Sequence, residues 1–126
     1  MSDAKFATAI NCMDGRTQLS VNDWMKKQYG VEFVDTVTEP GPVKILADNT
    51  DKTYLDSIKR RLDISINKHH SSAVCIVAHH DCAGNPVEKT IQIEQLKSAI
   101  NTVKGWFGNI DVVALWVDEN WTVNKI

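Results

Sequence analysis

Residues 72–84 read SAVCIVAHHDCAG: seven small or apolar residues without a charge, then two histidines, an aspartate, a cysteine and two more small residues. A continuous apolar run this short, with no alternation of sides, is the pattern of a strand covered on both faces in a parallel sheet. Parallel neighbours need crossover connections, and the flanking sequence offers helices for them. Upstream, from about Asp51 to Asn67, Leu55, Ile58, Leu62 and Ile66 recur at helical spacing. Downstream, Asn85 as cap, Pro86 in the first helical position and Glu88 three after the cap compose a helix start. Ile93, Leu96, Ile100, Val103 and Phe107 continue that helix, and Gly108 closes it.

Further out, residues 5–11 (KFATAIN) form an expected first strand, followed by a loop through Arg16 and a short helix with Ser20 as its cap and Gly30 beyond its end. Residues 31–38 (VEFVDTVT), rich in β-branched side chains, are an expected second strand, stopped by Glu39-Pro40-Gly41-Pro42. Residues 110–117 (IDVVALWV) are another, and after Asp118-Glu119-Asn120 the segment 121–126 returns as an edge hairpin strand. The alternation predicts an α/β domain over residues 1–126, with a mostly parallel central sheet of about four to five strands and helices on both faces.

Hydrophobic residues make up 43% of the chain and charged residues 24%, with a net charge of −2, so a nucleic-acid surface or a polybasic membrane anchor is not expected. The first residues lack a basic region followed by an apolar core, and no run approaches the roughly 20 apolar residues of a membrane span. A soluble, cytoplasmic protein is the expectation. Three cysteines, odd in number and widely spaced, do not make a disulfide framework. Cys75, inside the apolar run, reads as a buried and unreactive thiol. Trp24, Trp106, Phe107, Trp116 and Trp121 read as core or dimer contacts.

The chemistry concentrates just past two strands. Sheets of this kind bind ligands outside the carboxyl ends of their strands, and both Cys12-Met13-Asp14-Gly15-Arg16 and His79-His80-Asp81-Cys82 sit there. Two thiols and an imidazole are the makings of a zinc site, provided that the two strands are neighbours. His79 and Cys82, two residues apart within a turn, can converge on one ion; His80 is the alternative imidazole if the turn is read differently. A helix starting just after Cys82 would help to keep its sulfur ionised. Three such ligands leave a tetrahedral ion one open position, as in catalytic rather than structural zinc. Asp14 lies close enough in sequence to reach that position, and Arg16 to hold Asp14 through a bidentate pair. The plainer reading of Asp14 and Arg16 is a surface ion pair in a loop. His80, His69 and His70 are candidate proton shuttles by residue type only, the last two more simply belonging to a solvated helix end.

The two motifs, Cys-x-Asp-x-Arg at Cys12, Asp14 and Arg16 and His-x-x-Cys at His79 and Cys82, the latter followed by Ala83-Gly84, resemble those of the β-class carbonic anhydrases. The likeness extends to strand and helix order over most of the chain. It implies Zn2+ on Cys12, His79 and Cys82, an Asp14–Arg16 dyad, reversible hydration of carbon dioxide to bicarbonate, and a homodimer or higher homo-oligomer. The family's N-terminal helical arm has no counterpart ahead of Cys12, and its Arg-Asn-Ala-Gly-Asn-like segment appears as Thr38-Glu39-Pro40-Gly41-Pro42. No glutamine precedes Cys12 among residues 2–9. Two other small-molecule readings therefore stand beside carbon dioxide: hydrolysis of a related electrophile such as carbonyl sulfide or carbon disulfide, and a non-catalytic zinc protein whose coordination is permanently closed. A cysteine-nucleophile enzyme of phosphatase or sulfurtransferase type fits poorly, since phosphatase loops place five residues between cysteine and arginine, whereas three separate Cys12 from Arg16 and one of them, Asp14, would repel phosphate.

Overall fold

The computed structural model describes residues 4–126. Its elements run β1 (Phe6–Cys12), a 3-10 turn (Gly15–Thr17), α1 (Gln18–Tyr29), β2 (Phe33–Glu39), α2 (Pro42–Asp48), α3 (Lys52–Asn67), β3 (Ala73–His79), α4 (Lys89–Trp106), β4 (Asp111–Val117) and β5 (Val123–Lys125). The five strands form one sheet in the order β2-β1-β3-β4-β5. The first four are parallel, and β5 folds back antiparallel on β4. An α/β fold with a mostly parallel sheet is what the alternating pattern predicts.

β3 lies in the middle of the sheet, and all seven of its residues are buried. Its side chains divide by parity. Val74, Ile76 and Ala78 enter the core covered by α2, α3 and α4, with Leu46, Ile58, Leu62 and Leu96; Cys75 and Val77 enter the core covered by α1, with Val21, Met25 and Leu115. Each large apolar side chain so buried contributes about 1.5–3 kcal/mol of transfer free energy, which is why a central strand carries no polar face.

From β1 the chain first crosses to β2 on one side, and later adds β3 on the other. Such a reversal opens a crevice at the carboxyl ends of the strands. β1 ends there with Cys12 and β3 with His79.

Several local expectations are corrected. Ser20 does not cap α1, which starts at Gln18 after Thr17. The Thr17 hydroxyl is committed elsewhere, donating to Asn11 Oδ1 (3.1 Å) and to the carbonyl of Asp14 (2.8 Å). Asn85 does not cap α4, which starts at Lys89; its amide donates to Gln95 Oε1 (2.6 Å), and Asn85 N–H closes a turn onto the Cys82 carbonyl (3.2 Å). Helix α2, seven residues long, is too short for a periodic signature, although Pro42 at its first turn marks its start. Gly30 ends α1 in the left-handed conformation, as expected. Among the described residues no helix is long and apolar enough to cross a membrane.

Candidate metal centre

Cys12 and His79 close adjacent strands, and the turn after β3 returns Cys82 beside them. Cys12 Sγ lies 3.9 Å from Cys82 Sγ, and the donor atoms of Cys12, His79 and Cys82 all fall within 4.8 Å of one another. The three residues are buried, 4%, 1% and 5% exposed. Sulfurs about 2.3 Å from a tetrahedral zinc stand about 3.8 Å apart along the edge, close to the separation seen here.

The imidazole is set for the same purpose. His79 Nδ1 is 2.7 Å from the carbonyl of His80; a carbonyl only accepts, so Nδ1 carries the proton and Nε2 presents a lone pair. Nε2 is buried and has no hydrogen-bond partner, an arrangement that costs free energy unless something electropositive occupies its lone pair. A divalent cation among these three donors fits. His80 is exposed and does not belong to the cluster.

Cys12 and Cys82 lie close enough for each to shift the ionisation of the other. The hydrogen bond from Cys82 first, and after it the neighbouring His79 imidazole and the backbone amides of Gly41 and Asp14, hold the Cys12 thiol far below its ordinary range, at about 4, against the opposing effect of burial. Cys82 is pushed up by its role as donor to that thiolate, by burial and by the neighbouring negative charge. Burial disfavours the His79 imidazolium, but Cys12, the His80 carbonyl and Asp14 together raise its pKa. A cation would take the place of that donated proton, letting both sulfurs ionise. The help expected from a helix N-terminus does not arise, because α4 begins seven residues after Cys82; the amides of Gly84 and Asn85 favour its thiolate instead.

Gly41 and Gly84 bring two loops together backbone to backbone. A Cβ on Gly84 would lie 2.6 Å from the Pro40 carbonyl carbon, and one on Gly41 2.9 Å from that of Gly84. Gly41 also adopts φ +58, in the left-handed region. Gln92, buried within α4, donates to the carbonyls of His79 (3.0 Å) and Val87 (3.1 Å) and so ties the end of β3 to the helix.

Asp14 and Arg16 form a bidentate pair on the rim: Nε to Oδ1 at 3.1 Å and Nη2 to Oδ2 at 2.7 Å. Arg16 holds the Asp14 carboxyl at about 2, through these hydrogen bonds first, against burial and with further help from the Arg16 amide and charge. The carboxylate stays outside the three-donor cluster. Trp121, expected as a core or dimer contact, stacks on Arg16, its ring centroid 4.4 Å from Cζ. Trp121 and Gln92 have no motif to betray them; for Gln92 the one signal is its place in the buried series Gln92, Leu96, Ala99 and Val103 along α4.

His69 and His70 lie at the other end of the sheet. His69 stacks on Phe6 at 4.3 Å and pairs with Asp35 Oδ2 at 2.6 Å, and with His70 it lines a hollow of about 730 Å³ beside Lys5, Tyr29 and Phe33. Phe6 opens β1 and Cys12 closes it, so about 20 Å of strand separates these histidines from the thiols, and neither can pass a proton there directly.

A family model described as "putative carbonic anhydrase" matches residues 2–126. Among solved structures, the fold is similar to the β-carbonic anhydrase CafA of the fungal pathogen Aspergillus fumigatus, with a TM-score of 0.53 and 13% identity, covering 98% of this chain and 75% of that one. It is similar also to a structure from work on two tetrameric β-carbonic anhydrases of the filamentous ascomycete Sordaria macrospora, with a TM-score of 0.53 and 10% identity over 99% of this chain and 82% of that one. No curated protein matches the sequence. At these identities the structural likeness speaks for the fold alone.

Proposed function

The chain belongs to the carbonic anhydrase family whose model spans it, and from that premise we propose that it catalyses the zinc-dependent, reversible hydration of carbon dioxide to bicarbonate, as a carbonate dehydratase-like lyase. The observation that carries this reading is the convergence of two sulfurs and a bare imidazole nitrogen within 4.8 Å at the carboxyl edge of the sheet. In this reading Cys12, His79 and Cys82 hold the ion and Asp14 and Arg16 gate its fourth position. Zinc supplies Lewis acidity when bound, lowering the pKa of a water from about 16 to near 7 so that a nucleophile exists at neutral pH.

The chain's own residues do the rest. The His80 carbonyl fixes the His79 tautomer, and the amides of Gly41 and Asp14 favour charge on Cys12. Asp14, kept ionised by Arg16, acts as an acceptor that orients the nucleophile, or closes the site when Arg16 releases it. We take residues 1–126 as one zinc-binding domain, cytoplasmic, working as a homodimer or higher homo-oligomer. The assembly is supported by edge strand β2, where Phe33 is 51% exposed, and light scattering in solution tests it.

Metal analysis paired with stopped-flow carbon dioxide hydration, repeated for Cys82→Ser, tests the activity. Zinc near one per chain with turnover lost in the variant is the expected result; zinc without turnover between about pH 6 and 9, around the pKa of a zinc-bound water, would refute it. The deep burial of all three donors favours one competing reading, a sealed, non-catalytic zinc protein. The visible spectrum of the cobalt-substituted protein separates the two, since only an open site responds to added bicarbonate.

A further inference from the structure

Arg16 is gripped from three sides, of which Asp14 is one. Asp81, inside the His-x-x-Cys turn, takes Nη2 on its carbonyl (3.2 Å) and Nη1 on its carboxylate (3.4 Å). The Trp121 indole lies against the guanidinium face, 4.4 Å from Cζ to the ring centroid. Both partners have left-handed backbone, Asp81 at φ 57 and Trp121 at φ 59. Four non-glycine residues among those described adopt positive φ, and two of the four meet this one guanidinium. A bulky aromatic residue is disfavoured there, and the turn between β4 and β5 holds it in place. The Asp118 carboxylate accepts from the amides of Asn120 (2.9 Å) and Thr122 (3.0 Å) and from Asn124 Nδ2 (3.1 Å), while Trp121 N–H donates to the Asp118 carbonyl (2.9 Å).

We infer that Trp121 is a positioning residue for the gate: with Asp81, its indole face holds the guanidinium so that Asp14 stays paired to Arg16 and away from Cys12, His79 and Cys82, leaving a fourth ligand position open to a small ligand. The inference rests on the reading of Asp14 and Arg16 as the gate. A planar, weakly hydrated cation suits an aromatic face. Without that face Arg16 swings more freely and releases Asp14 more often. Asp14, two residues from Cys12, then competes with any incoming ligand.

Trp121 also rests against the core on the α1 side, so the test must separate stacking from packing. Trp121→Phe keeps a π face, and Trp121→Leu keeps apolar bulk without one; Trp121→Met, which adapts to irregular gaps, replaces the leucine variant if that does not fold. Two quantities are measured: solvent exchange of the Arg16 Nε proton by NMR, which needs no metal, and the affinity of the cobalt-substituted protein for bicarbonate from its visible spectrum. Loss of one exposed cation–π contact corresponds to a change of roughly two- to fivefold. The leucine variant should exchange faster and bind bicarbonate more weakly by about that factor, with the phenylalanine variant near wild type. Wild-type values for the leucine variant, or equal losses in both, overturn the inference. If the wild-type protein takes up no metal, the proposed function fails, and Arg16 exchange alone decides the positioning claim.

Discussion

At the residue scale the site is a matter of where protons sit. Cys12 and Cys82 face each other across 3.9 Å, the first thiol held down and the second pushed up by the contact, and the His79 proton is fixed on Nδ1 by a carbonyl. Replacing Cys82 by serine removes a donor that no neighbour can supply; zinc content should fall from about one per chain to a small fraction, by at least the roughly tenfold that even outer-shell changes cost in affinity, with the circular dichroism unchanged. Asp14 has its own pH signature. Its folded pKa, about 2, lies below the ordinary 3.8, so its contribution to stability is complete above the unfolded value and is lost as pH falls through the folded one. Screening at the half-exposed Arg16 limits that contribution to about 1 kcal/mol or less. Urea unfolding of the wild type and Asp14→Asn should therefore show a stability gap that narrows between about pH 5 and pH 2; a gap that does not move with pH would refute the pairing. Cys75 is the contrasting thiol. Burial holds it up, at about 11, so thiol reagents at neutral pH should leave it unmodified until the chain unfolds.

At the element scale the β2–α2 and β3–α4 loops meet backbone to backbone at Gly41 and Gly84, two residues beyond Cys82. Gly84→Ala places a methyl 2.6 Å from the Pro40 backbone, which cannot yield as a flexible side chain would. A loss of about 2–3 kcal/mol in denaturant unfolding is expected, with a parallel loss in zinc affinity measured by chelator competition; unchanged affinity in a destabilised but folded variant would separate the loops from the site. A polar chain secures the opposite end of the sheet, where Thr8 bonds Ser65 and Ser71, and Ser65 donates to Asp35, which His69 meets in turn. Elements were legible where burial imposed a period, as in α3 with Leu55, Ile58 and Leu62. The starts of α1 and α4 were not. Thr17 and Asn85 have capping chemistry in their side chains, but tertiary partners (Asn11 and Gln95) claim it, and such competition is invisible to local pattern.

At the scale of the molecule, two cores of aliphatic and aromatic side chains lie on opposite faces of one sheet, and neither includes Cys12, His79 or Cys82. The zinc-free protein should remain cooperatively folded with intact near-ultraviolet dichroism. Chelation should nevertheless lower its stability, by about 3–4 kcal/mol when free zinc had exceeded its dissociation constant by a hundred- to a thousandfold; an apo protein that is unfolded would place the metal in the folding core instead. The amino-acid sequence by itself determined the α/β class, the central strand and the residue types at the two motifs, because a strand buried on both faces must be apolar throughout and because cysteine, histidine and aspartate at these spacings serve few other purposes. Only the tertiary structure decided that β1 and β3 are neighbours, that Gly41 and Gly84 touch, and that Trp121 reaches back over Arg16 from the far hairpin. Those are pairings between segments about 40 to 105 residues apart, and no local periodicity encodes which distant partner a residue meets; the joint packing of both sheet faces does.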